Sequence, residues 1–278
     1  MSNKFIFITG CSSGIGLDAT RTLRARGYDV LASCRRAYDV GVLLQQGIDC
    51  IQLDLSSSES IHSALDEIRE HGELYGLINN GAFGVPGAVG DLSRAALQHQ
   101  FETNVFGTHE LTRGCLEIML PRNKGRIIQI SSILGGLCLP FRGAYNASKY
   151  ALEALSDTLR LELDGTGIQI SLIQPGPIES QFRPNALSQF KQFIDAENSR
   201  FRDHYAGVEG RLSSPKPARF TLPAAAVSDA IIHALEAKKP KIRYRLTRPT
   251  KVLLPLKRFL PDRWMDKLLL KFGDKPIK

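Results

Sequence analysis

The 278-residue sequence is poor in cysteine and lacks any paired cysteine motif. Its five cysteines stand at positions 11, 34, 50, 115 and 138, and no two of them form a C-x-x-C pair. Disulfide frameworks and zinc sites carry even numbers of cysteines or closely spaced ones. Six histidines are also scattered without metal-ligand spacing. We therefore expect no metal site and no disulfide framework, and we predict a reducing, cytoplasmic location.

Long hydrophobic runs are missing as well. No stretch of about 18 apolar residues occurs, which is the length that a membrane-spanning helix requires. The first residues, MSNKFIFITG, pass directly into a strand-like apolar run, without a basic segment, a long apolar segment or an A-x-A cleavage pattern. We expect neither a signal peptide nor a membrane-spanning helix.

Neither sign of charge is in excess over most of the chain, although the net charge of the whole chain is +8. Residues 241–278 hold twelve Lys and Arg against three Asp and Glu, whereas the first 240 residues hold 24 against 25. A nucleic-acid-binding body would carry its own basic face. The nearly neutral body therefore argues against nucleic acid as a partner, and the basicity belongs to the C-terminal residues.

Apolar runs alternate with helix-length amphipathic stretches. Buried strands are predicted at 4–9, 28–34, 47–53, 74–79, 126–131 and 168–173, with an edge strand within 239–247. Helices are predicted at 14–26, 58–71, 91–120, 144–164 and 222–237. Near-continuous apolar strands suit a parallel sheet that is covered on both faces. The sequence predicts an α/β fold: a doubly wound, Rossmann-like, mostly parallel seven-stranded sheet with helices on both faces.

We divide the chain into one domain, residues 1–248, and a C-terminal extension, residues 249–278. Within the domain, residues 176–222 interrupt the strand–helix alternation with prolines and aromatic side chains. Excursions of this length in compact domains are commonly functional. We call residues 176–222 the lid and expect it to cover a substrate site.

The first strand runs into TGCSSGIG (9–16) and then into a helix. Glycines at such a turn let the backbone approach a pyrophosphate, because a side chain would hold it away or clash with the helix. The free N–H groups at the start of the helix then bind phosphate oxygens. The position of this turn in the first strand–helix unit predicts a dinucleotide site.

The spacing G-x-x-x-G-x-G resembles that of the short-chain dehydrogenase/reductase family, and further motifs follow in the family's order. Asn79-Asn80-Gly81-Ala82 follows the fourth strand, where the family usually has N-N-A-G. Ser132 ends the fifth strand, YNASK (145–149) is a full Y-x-A-S-K, and Pro175-Gly176 follows the sixth strand. The resemblance covers residues 4–180 and is nearest to hydroxysteroid and retinol dehydrogenases and to bacterial NADP-dependent aldehyde reductases.

Tyr145 and Lys149 stand four residues apart, so they project from one face of a helix. A lysine ammonium nearby lowers the pKa of a tyrosine, which then exchanges a proton with a carbonyl or alcohol oxygen. The resemblance implies further roles. Lys149 also bonds the nicotinamide ribose, Ser132 holds the substrate oxygen, and Asn104 fixes a water that links Lys149 to solvent.

A dinucleotide site selects NAD or NADP at the end of its second strand. Here Cys34 stands where the family has an acidic residue in NAD users, and Arg35 aligns with the arginine of NADP users. A guanidinium suits a 2′-phosphate because its planar fork makes charge-assisted hydrogen bonds. We predict NADP(H), held by Gly10, Ser12, Ser13, Gly14, Ile15, Gly16, Arg35, Arg36, Asp54, Leu55, Asn80, Gly81, Tyr145, Lys149, Pro175, Gly176, Ile178 and Ser180.

The six aromatic residues of the lid favour a small lipophilic substrate, a carbonyl compound or alcohol such as an aldehyde, ketone, steroid or retinoid. The enzyme is expected to be a homodimer or homotetramer. Two other interpretations stay open: a non-catalytic, NADP-binding regulatory protein and a membrane-surface protein that uses the basic C-terminal extension. A predicted helix over 261–272 gathers Trp264, Met265, Leu268, Leu269 and Phe272 on one face. That face either packs on the body or lies on an anionic membrane.

Overall fold

A computed structural model describes residues 4–272 of the chain. Seven strands form one sheet in the order β3-β2-β1-β4-β5-β6-β7, and every neighbouring pair is parallel. The strands are β1 (Phe5–Ile8), β2 (Asp29–Cys34), β3 (Cys50–Gln52), β4 (Leu74–Asn79), β5 (Gly125–Ile130), β6 (Ile168–Gln174) and β7 (Arg243–Arg245). The chain reverses its direction of travel across the sheet between β3 and β4, so a crevice opens between the carboxyl ends of β1 and β4.

Helices connect the strands. They are α1 (Gly14–Ala25), α2 (Ala37–Gln45), α3 (Ser58–His71), α4 (Arg94–Phe101), α5 (Thr108–Met119), α6 (Gly143–Glu162), α7 (Phe182–Phe193), α8 (Arg202–Ser213), α9 (Ala225–Glu236), α10 (Arg248–Leu256) and α11 (Asp262–Phe272). None of the helices within residues 4–272 has both the length and the apolar character needed to cross a membrane.

The core has two layers, one on each face of the sheet, because side chains alternate along a strand. In β1, Ile6 and Ile8 pack with α1 and α9, whereas Phe5 and Phe7 pack with α3 and α5. All four of these β1 side chains are at most 3% exposed. The predicted doubly wound fold with a parallel seven-stranded sheet is therefore confirmed.

Several element boundaries differ from the prediction. Helix α2 was not predicted, and the single helix expected over 91–120 is broken. It consists of a short 3-10 turn (Val89–Asp91), α4, a π-helical segment (Glu102–Gly107) and α5. The strand expected over 47–53 is confined to Cys50–Gln52, and the edge strand within 239–247 is confined to Arg243–Arg245.

The lid is more regular than its proline content indicated, since it contains α7 and α8. Phe190 from α7 and Tyr205 from α8 are buried against each other with ring centroids 5.3 Å apart. Tyr205 also accepts the backbone N–H of Ala88 and donates to the carboxylate of Asp91. These contacts fix the lid on the loop that follows β4.

The C-terminal extension folds back on the body over its described residues, as α10 and α11. Met265 and Leu269 are 3% and 8% exposed and pack with Leu134, Leu137 and Leu253. The predicted apolar face of the last helix is only partly correct, because Trp264 is 68% exposed. The side chain of Phe272, which belongs to the same predicted face, and residues 273–278 of the predicted extension lie outside the described residues.

Candidate active site

The glycine-rich turn between β1 and α1 adopts a backbone that only glycine fits. Gly10 and Gly14 have positive φ angles of 71° and 55°. A Cβ at Gly10 would lie 2.8 Å from the Cα of Gly81, and one at Gly16 would lie 2.3 Å from the carbonyl oxygen of Gly10. Helix α1 begins at Gly14, and the Ser13 side chain does not cap it. The first N–H groups of α1 thus face the turn, where anions are favoured.

The end of β4 braces this turn from the other side. The side-chain amide of Asn80 donates to the carbonyl oxygens of Thr9 and Gly10 at 2.9 and 3.0 Å. The Thr9 hydroxyl accepts the backbone N–H groups of Asn80 and Gly81 at 2.9 and 2.8 Å. The exchanged order Gly81-Ala82 puts a glycine where a Cβ would lie 3.1 Å from Leu55. The turn and its brace therefore form one tightly packed unit.

Three of the four predicted catalytic side chains meet at the carboxyl end of the central strands. Tyr145 and Lys149 lie one turn apart on α6, and the Lys149 ammonium is 5.8 Å from the centre of the Tyr145 ring. Lys149 is 3% exposed and donates to the carbonyl oxygen of Ile130 at 2.8 Å. Ser132 follows β5, and its Oγ accepts the N–H of Leu134 at 3.1 Å, which leaves its own proton to donate.

Burial dominates the proton affinities at this site. It raises the pKa of Tyr145 to about 12, and a hydrogen bond from Ser132 acts in the opposite direction. Burial lowers the pKa of Lys149 to about 8, and the negative charge of Glu153 acts in the opposite direction. The sequence interpretation assigned the lowering of the Tyr145 pKa to Lys149, whereas in the structure Ser132 is the side chain that lowers it. Tyr145 consequently carries its proton at neutral pH, as a proton donor must.

Asn104, the fourth predicted catalytic residue, is buried in the π-helical segment. Its Oδ1 accepts the N–H of Phe83 at 3.2 Å, and its Nδ2 donates to the Phe83 carbonyl and to the Ser148 hydroxyl at 2.9 and 3.1 Å. Because Ser148 precedes Lys149, these bonds tie the loop after β4 to the helix of the catalytic pair. The predicted role of Asn104 in holding a water stays a prediction.

A single cavity of about 1050 Å³ joins the glycine-rich turn to the catalytic side chains and the lid. It brings together most of the predicted residues: Gly10, Ser12, Ser13, Gly14, Ile15, Asn80, Gly81, Ser132, Tyr145, Lys149, Pro175, Gly176, Ile178 and Ser180. Six predicted residues, all within the described range, are not in its lining: Gly16, Arg35, Arg36, Asp54, Leu55 and Asn104.

The far end of the cavity is built by residues that the sequence did not single out as site residues. The Phe182 ring stands edge-on to the Tyr145 ring at 5.2 Å, and Pro249 and Leu253 come from the C-terminal extension. Leu134 and Leu137 follow Ser132 and complete an apolar wall. The aromatic content of the lid indicated this environment, and the contribution of α10 agrees with one of the two predicted alternatives, in which the C-terminal extension packs on the body.

At the end of β2 the two arginines differ. Arg36 is bound by Asp39, with its Nε 2.7 Å and its Nη2 2.9 Å from the carboxylate oxygens. Arg35 is exposed, and its carbonyl oxygen accepts a hydrogen bond from the Gln52 side-chain amide at 3.1 Å. Cys34 is 1% exposed, and its side chain packs in the core rather than on the surface where the two arginines lie.

Asp54 and Leu55, two of the residues predicted to hold NADP(H), lie just after β3. Asp54 accepts the N–H and the hydroxyl of Ser56 at 2.9 and 2.7 Å through one carboxylate oxygen, Oδ1. Leu55 is buried, and its carbonyl oxygen would be 1.7 Å from a Cβ at Gly107. Within residues 4–272, no group of three or more His, Cys, Asp or Glu side chains could hold a metal ion.

Comparisons with known proteins agree with this geometry. The family model of the short chain dehydrogenases matches residues 4–190. An uncharacterized oxidoreductase of Escherichia coli K12, YbbO, is 44% identical over 268 residues, which cover 96% of this chain and 94% of that protein. Mouse retinol dehydrogenase 16 is 32% identical, with coverage of 100% and 91%.

Solved structures show the same fold. A short-chain dehydrogenase from Streptomyces avermitilis superposes with a TM-score of 0.77 at 26% identity, covering 96% of this chain and 95% of that one. Two dehydrogenases from Burkholderia phymatum and Burkholderia cenocepacia, in complex with NAD and NADP respectively, superpose with TM-scores of 0.76 and 0.74. They cover 99% and 96% of this chain and 98% of each of theirs, and at 24% and 20% identity they show the fold alone. With a family match over more than half its length and relatives above 30% identity, the chain belongs to the short-chain dehydrogenase family of oxidoreductases.

Proposed function

We propose that the protein is an NADP(H)-dependent reductase of lipophilic carbonyl compounds, with Tyr145 as the proton donor. The observation that carries this proposal is the cavity that runs from the glycine-rich turn past Ser132, Tyr145 and Lys149 to the apolar wall. A nicotinamide dinucleotide and a small apolar carbonyl compound need that combination of surfaces.

The residues at the turn fit a dinucleotide. A Cβ at Gly10 or Gly16 would fill the space beside Gly81 and Asn80 where the backbone comes closest, and the uncapped start of α1 offers N–H donors to phosphate. Bound there, NADPH would supply the hydride that reduces the carbonyl carbon. Ser12, Ser13 and Asn80 would hold its phosphates and ribose on the β1 and β4 side, and Pro175, Gly176, Ile178 and Ser180 would hold it on the β6 side.

The chain's own residues handle the oxygen and the proton. The Ser132 hydroxyl donates to the carbonyl oxygen, which polarises the C=O bond and orients the substrate. As negative charge develops on that oxygen, the Tyr145 O–H bond breaks and its proton completes the alcohol. The Lys149 ammonium stabilises the phenolate that remains, and solvent restores the proton through the polar groups around Lys149. Asn104 would contribute to that link by holding a water.

The selection of NADP(H) is supported by the residues at the end of β2. Arg35 is exposed and directly follows β2, and the last residue of β2 is Cys34 rather than a carboxylate residue. A charge-assisted hydrogen bond to the 2′-phosphate contributes about 1.5–3 kcal/mol. Because Arg36 is already bound by Asp39, we assign the larger share of the preference to Arg35. Asp54 and Leu55 would contact the adenine.

The test is a screen of NADPH oxidation against aliphatic and aromatic aldehydes, ketones, steroids and retinoids, with Tyr145→Phe run in parallel. We expect turnover with apolar carbonyl compounds, and a loss of about 10²–10⁴-fold in Tyr145→Phe with NADPH binding retained. Turnover in Tyr145→Phe within tenfold of the parent would remove Tyr145 as the proton donor. NADPH binding without turnover of any substrate would favour the regulatory interpretation.

We also propose a second interaction, peripheral contact with an anionic membrane through the C-terminal extension. Val252, Phe259 and Trp264 are 59%, 81% and 68% exposed, and basic residues flank them at 251, 257, 258, 263, 267 and 271. Exposed apolar side chains beside basic ones are typical of a surface that lies in the lipid headgroup region. The contact would bring the cavity close to membrane-dissolved substrates while the protein itself remains cytoplasmic.

We also propose that the protein assembles as a homodimer or homotetramer. Phe106 in the π-helical segment and Leu155 and Leu161 in α6 are 54%, 42% and 65% exposed. Apolar side chains exposed on neighbouring helices favour burial against a second copy of the chain. Sedimentation analysis at micromolar concentration tests this, and Leu161→Arg should shift an oligomer toward monomer.

A further inference from the structure

A buried acidic residue, Glu153, lies on α6 next to the Tyr145–Lys149 pair. Glu153 is 7% exposed and stands four residues after Lys149 on α6, so the two side chains project from the same face one turn apart. Its Oε1 accepts the Ser131 hydroxyl at 2.5 Å and the Gln174 side-chain amide at 2.9 Å. Its Oε2 accepts Arg243 Nε at 3.0 Å. A carboxylate that accepts this many hydrogen bonds is held in one orientation.

The strand end next to Glu153 ties it to Lys149. The Lys149 ammonium donates to the carbonyl of Ile130, and the following residue, Ser131, donates to Glu153. Gly135 allows this approach, since a Cβ there would lie 2.7 Å from Ser131 Oγ and 2.9 Å from Glu153 Cγ. The ammonium and the carboxylate are thus anchored on adjacent residues of one strand end.

The proton balance of Lys149 depends on this neighbour. Burial lowers the pKa of Lys149 to about 8, so little margin separates its charged and neutral forms at neutral pH, and the charge of Glu153 acts against the effect of burial. Among the described residues, the charged side chain paired with Glu153 is Arg243 from β7, which also pairs with Asp157 from α6. The remaining partners, Ser131 and Gln174, are uncharged.

We propose that Glu153 is a positioning residue for the reaction: it keeps the ammonium of Lys149 protonated, and Lys149 in turn stabilises the Tyr145 phenolate. The role of Glu153 in the reaction rests on the proposed function. The effect of Glu153 on the protonation of Lys149 does not depend on that function. Without the carboxylate, burial acts unopposed and Lys149 loses its proton at lower pH. A purely structural role, bracing α6 against β5, β6 and β7, would leave the titration of Lys149 unchanged.

The experiment compares Glu153→Gln with Asp157→Asn in the full-length protein. Both substitutions remove a carboxylate that binds Arg243, but only Glu153 adjoins Lys149, so Asp157→Asn is the matched control. The first readout is the titration of Lys149, followed by the ¹³Cε shift in protein labelled with ¹³C-lysine and assigned with Lys149→Met. The second is the alkaline limb of the pH profile of kcat/KM for NADPH-dependent reduction.

In Glu153→Gln we expect the Lys149 titration and the alkaline limb to move down by about one pH unit, with both unchanged in Asp157→Asn. No movement in Glu153→Gln, or equal movement in both variants, overturns the proposal. If Glu153→Gln does not fold, Glu153→Asp provides the test, because a withdrawn carboxylate should give a smaller shift in the same direction, and no shift overturns the proposal. The NMR titration needs no turnover, so failure of the proposed function does not hide failure of this inference.

Discussion

At the scale of single residues, the geometry of the candidate site depends on glycines in the turn after β1 and on the two arginines after β2. Gly10 and Gly16 leave no space for a Cβ against the neighbouring backbone, which fixes the shape of the turn. Arg35 and Arg36 are adjacent in sequence, yet only Arg36 is bound by a carboxylate. The sequence predicts the same role for both arginines, whereas in the structure Arg36 pairs with Asp39 and Arg35 is exposed.

Cofactor preference should depend on Arg35 far more than on Arg36. Arg35→Ala is expected to weaken NADPH binding by about 10–150-fold and to leave NADH binding unchanged, because only NADPH carries the 2′-phosphate. Arg36→Ala is the matched control, and its effect should be small since Asp39 already engages that guanidinium. Isothermal titration with both cofactors measures this. Equal losses for NADPH and NADH in Arg35→Ala would contradict the assignment.

Gly16 should tolerate no side chain. In Gly16→Ala the new Cβ meets the carbonyl oxygen of Gly10 at 2.3 Å, so the backbone must shift, and we expect a loss of about 1–3 kcal/mol in unfolding free energy. NADPH affinity should fall with it. Gly41→Ala in α2 is the control, as its Cβ would meet nothing within 4 Å and alanine favours a helix by about 0.5–1 kcal/mol. Denaturant unfolding of both variants checks this, and similar stabilities would contradict it.

At the scale of elements, α6 carries the proposed proton donor Tyr145 and its proposed partners Lys149 and Glu153, which are spaced four residues apart on one face. Elements that are distant from α6 in the sequence also contribute to the candidate site. The π-helical segment carries Asn104 toward α6, and α10 and α11 cover the apolar wall beside Ser132. Helix α11 has two kinds of apolar side chain, buried ones such as Met265 and exposed ones such as Trp264.

These two side chains should have separable effects. Met265→Ala creates a cavity in a buried cluster and is expected to cost about 2–5 kcal/mol of unfolding free energy. Trp264→Ala should change stability by less than about 0.5 kcal/mol but weaken sedimentation with anionic vesicles at low salt. Thermal unfolding and vesicle sedimentation measure the two effects. Full vesicle binding by Trp264→Ala, or no binding by the parent protein, would end the membrane proposal.

The features that the sequence predicts are those formed by residues close together in the chain. Strands β1, β4, β5 and β6 were predicted because they are continuous apolar runs, and the Tyr145–Lys149 pair was predicted because it lies within one helical turn. Helix α2 was missed, since Val40, Gly41 and Val42 weaken its helical signal and Leu43 is its one buried residue. The pairing of Glu153 with Arg243 joins residues 90 positions apart, which no local pattern encodes.

At the scale of the whole molecule, the cavity is assembled from both ends of the chain. The glycine-rich turn comes from the first βα unit, the catalytic helix from the middle, and Pro249 and Leu253 from the C-terminal extension. Lys257 fastens this extension by donating to the Gly136 carbonyl at 2.8 Å and to the Tyr150 hydroxyl at 2.6 Å. The surfaces that we propose for the cofactor and for the substrate therefore come from different parts of the sequence.

Removing the residues after Thr250 should consequently damage substrate binding more than cofactor binding. The truncation exposes Leu134 and Leu137, and each buried Leu or Met that is lost contributed about 1.5–3 kcal/mol. We expect a lower melting temperature and a KM for an apolar carbonyl substrate raised at least about tenfold, with NADPH affinity nearly unchanged. Calorimetry and steady-state kinetics without detergent check this. Unchanged stability and KM would mean that the extension is not part of the cavity wall.

The position of Arg243 and Leu253 so late in the chain has a consequence for synthesis. A ribosome releases the glycine-rich turn and the Tyr145–Lys149 pair long before the strand that supplies Arg243 or the helix that covers Leu134. A nascent chain can therefore assemble its nucleotide-binding half while Glu153 still lacks its arginine and the apolar wall is still open. Under the proposed function, turnover would begin only after residues 243–253 have been synthesised, so a chain that terminates before them would bind NADPH without consuming it.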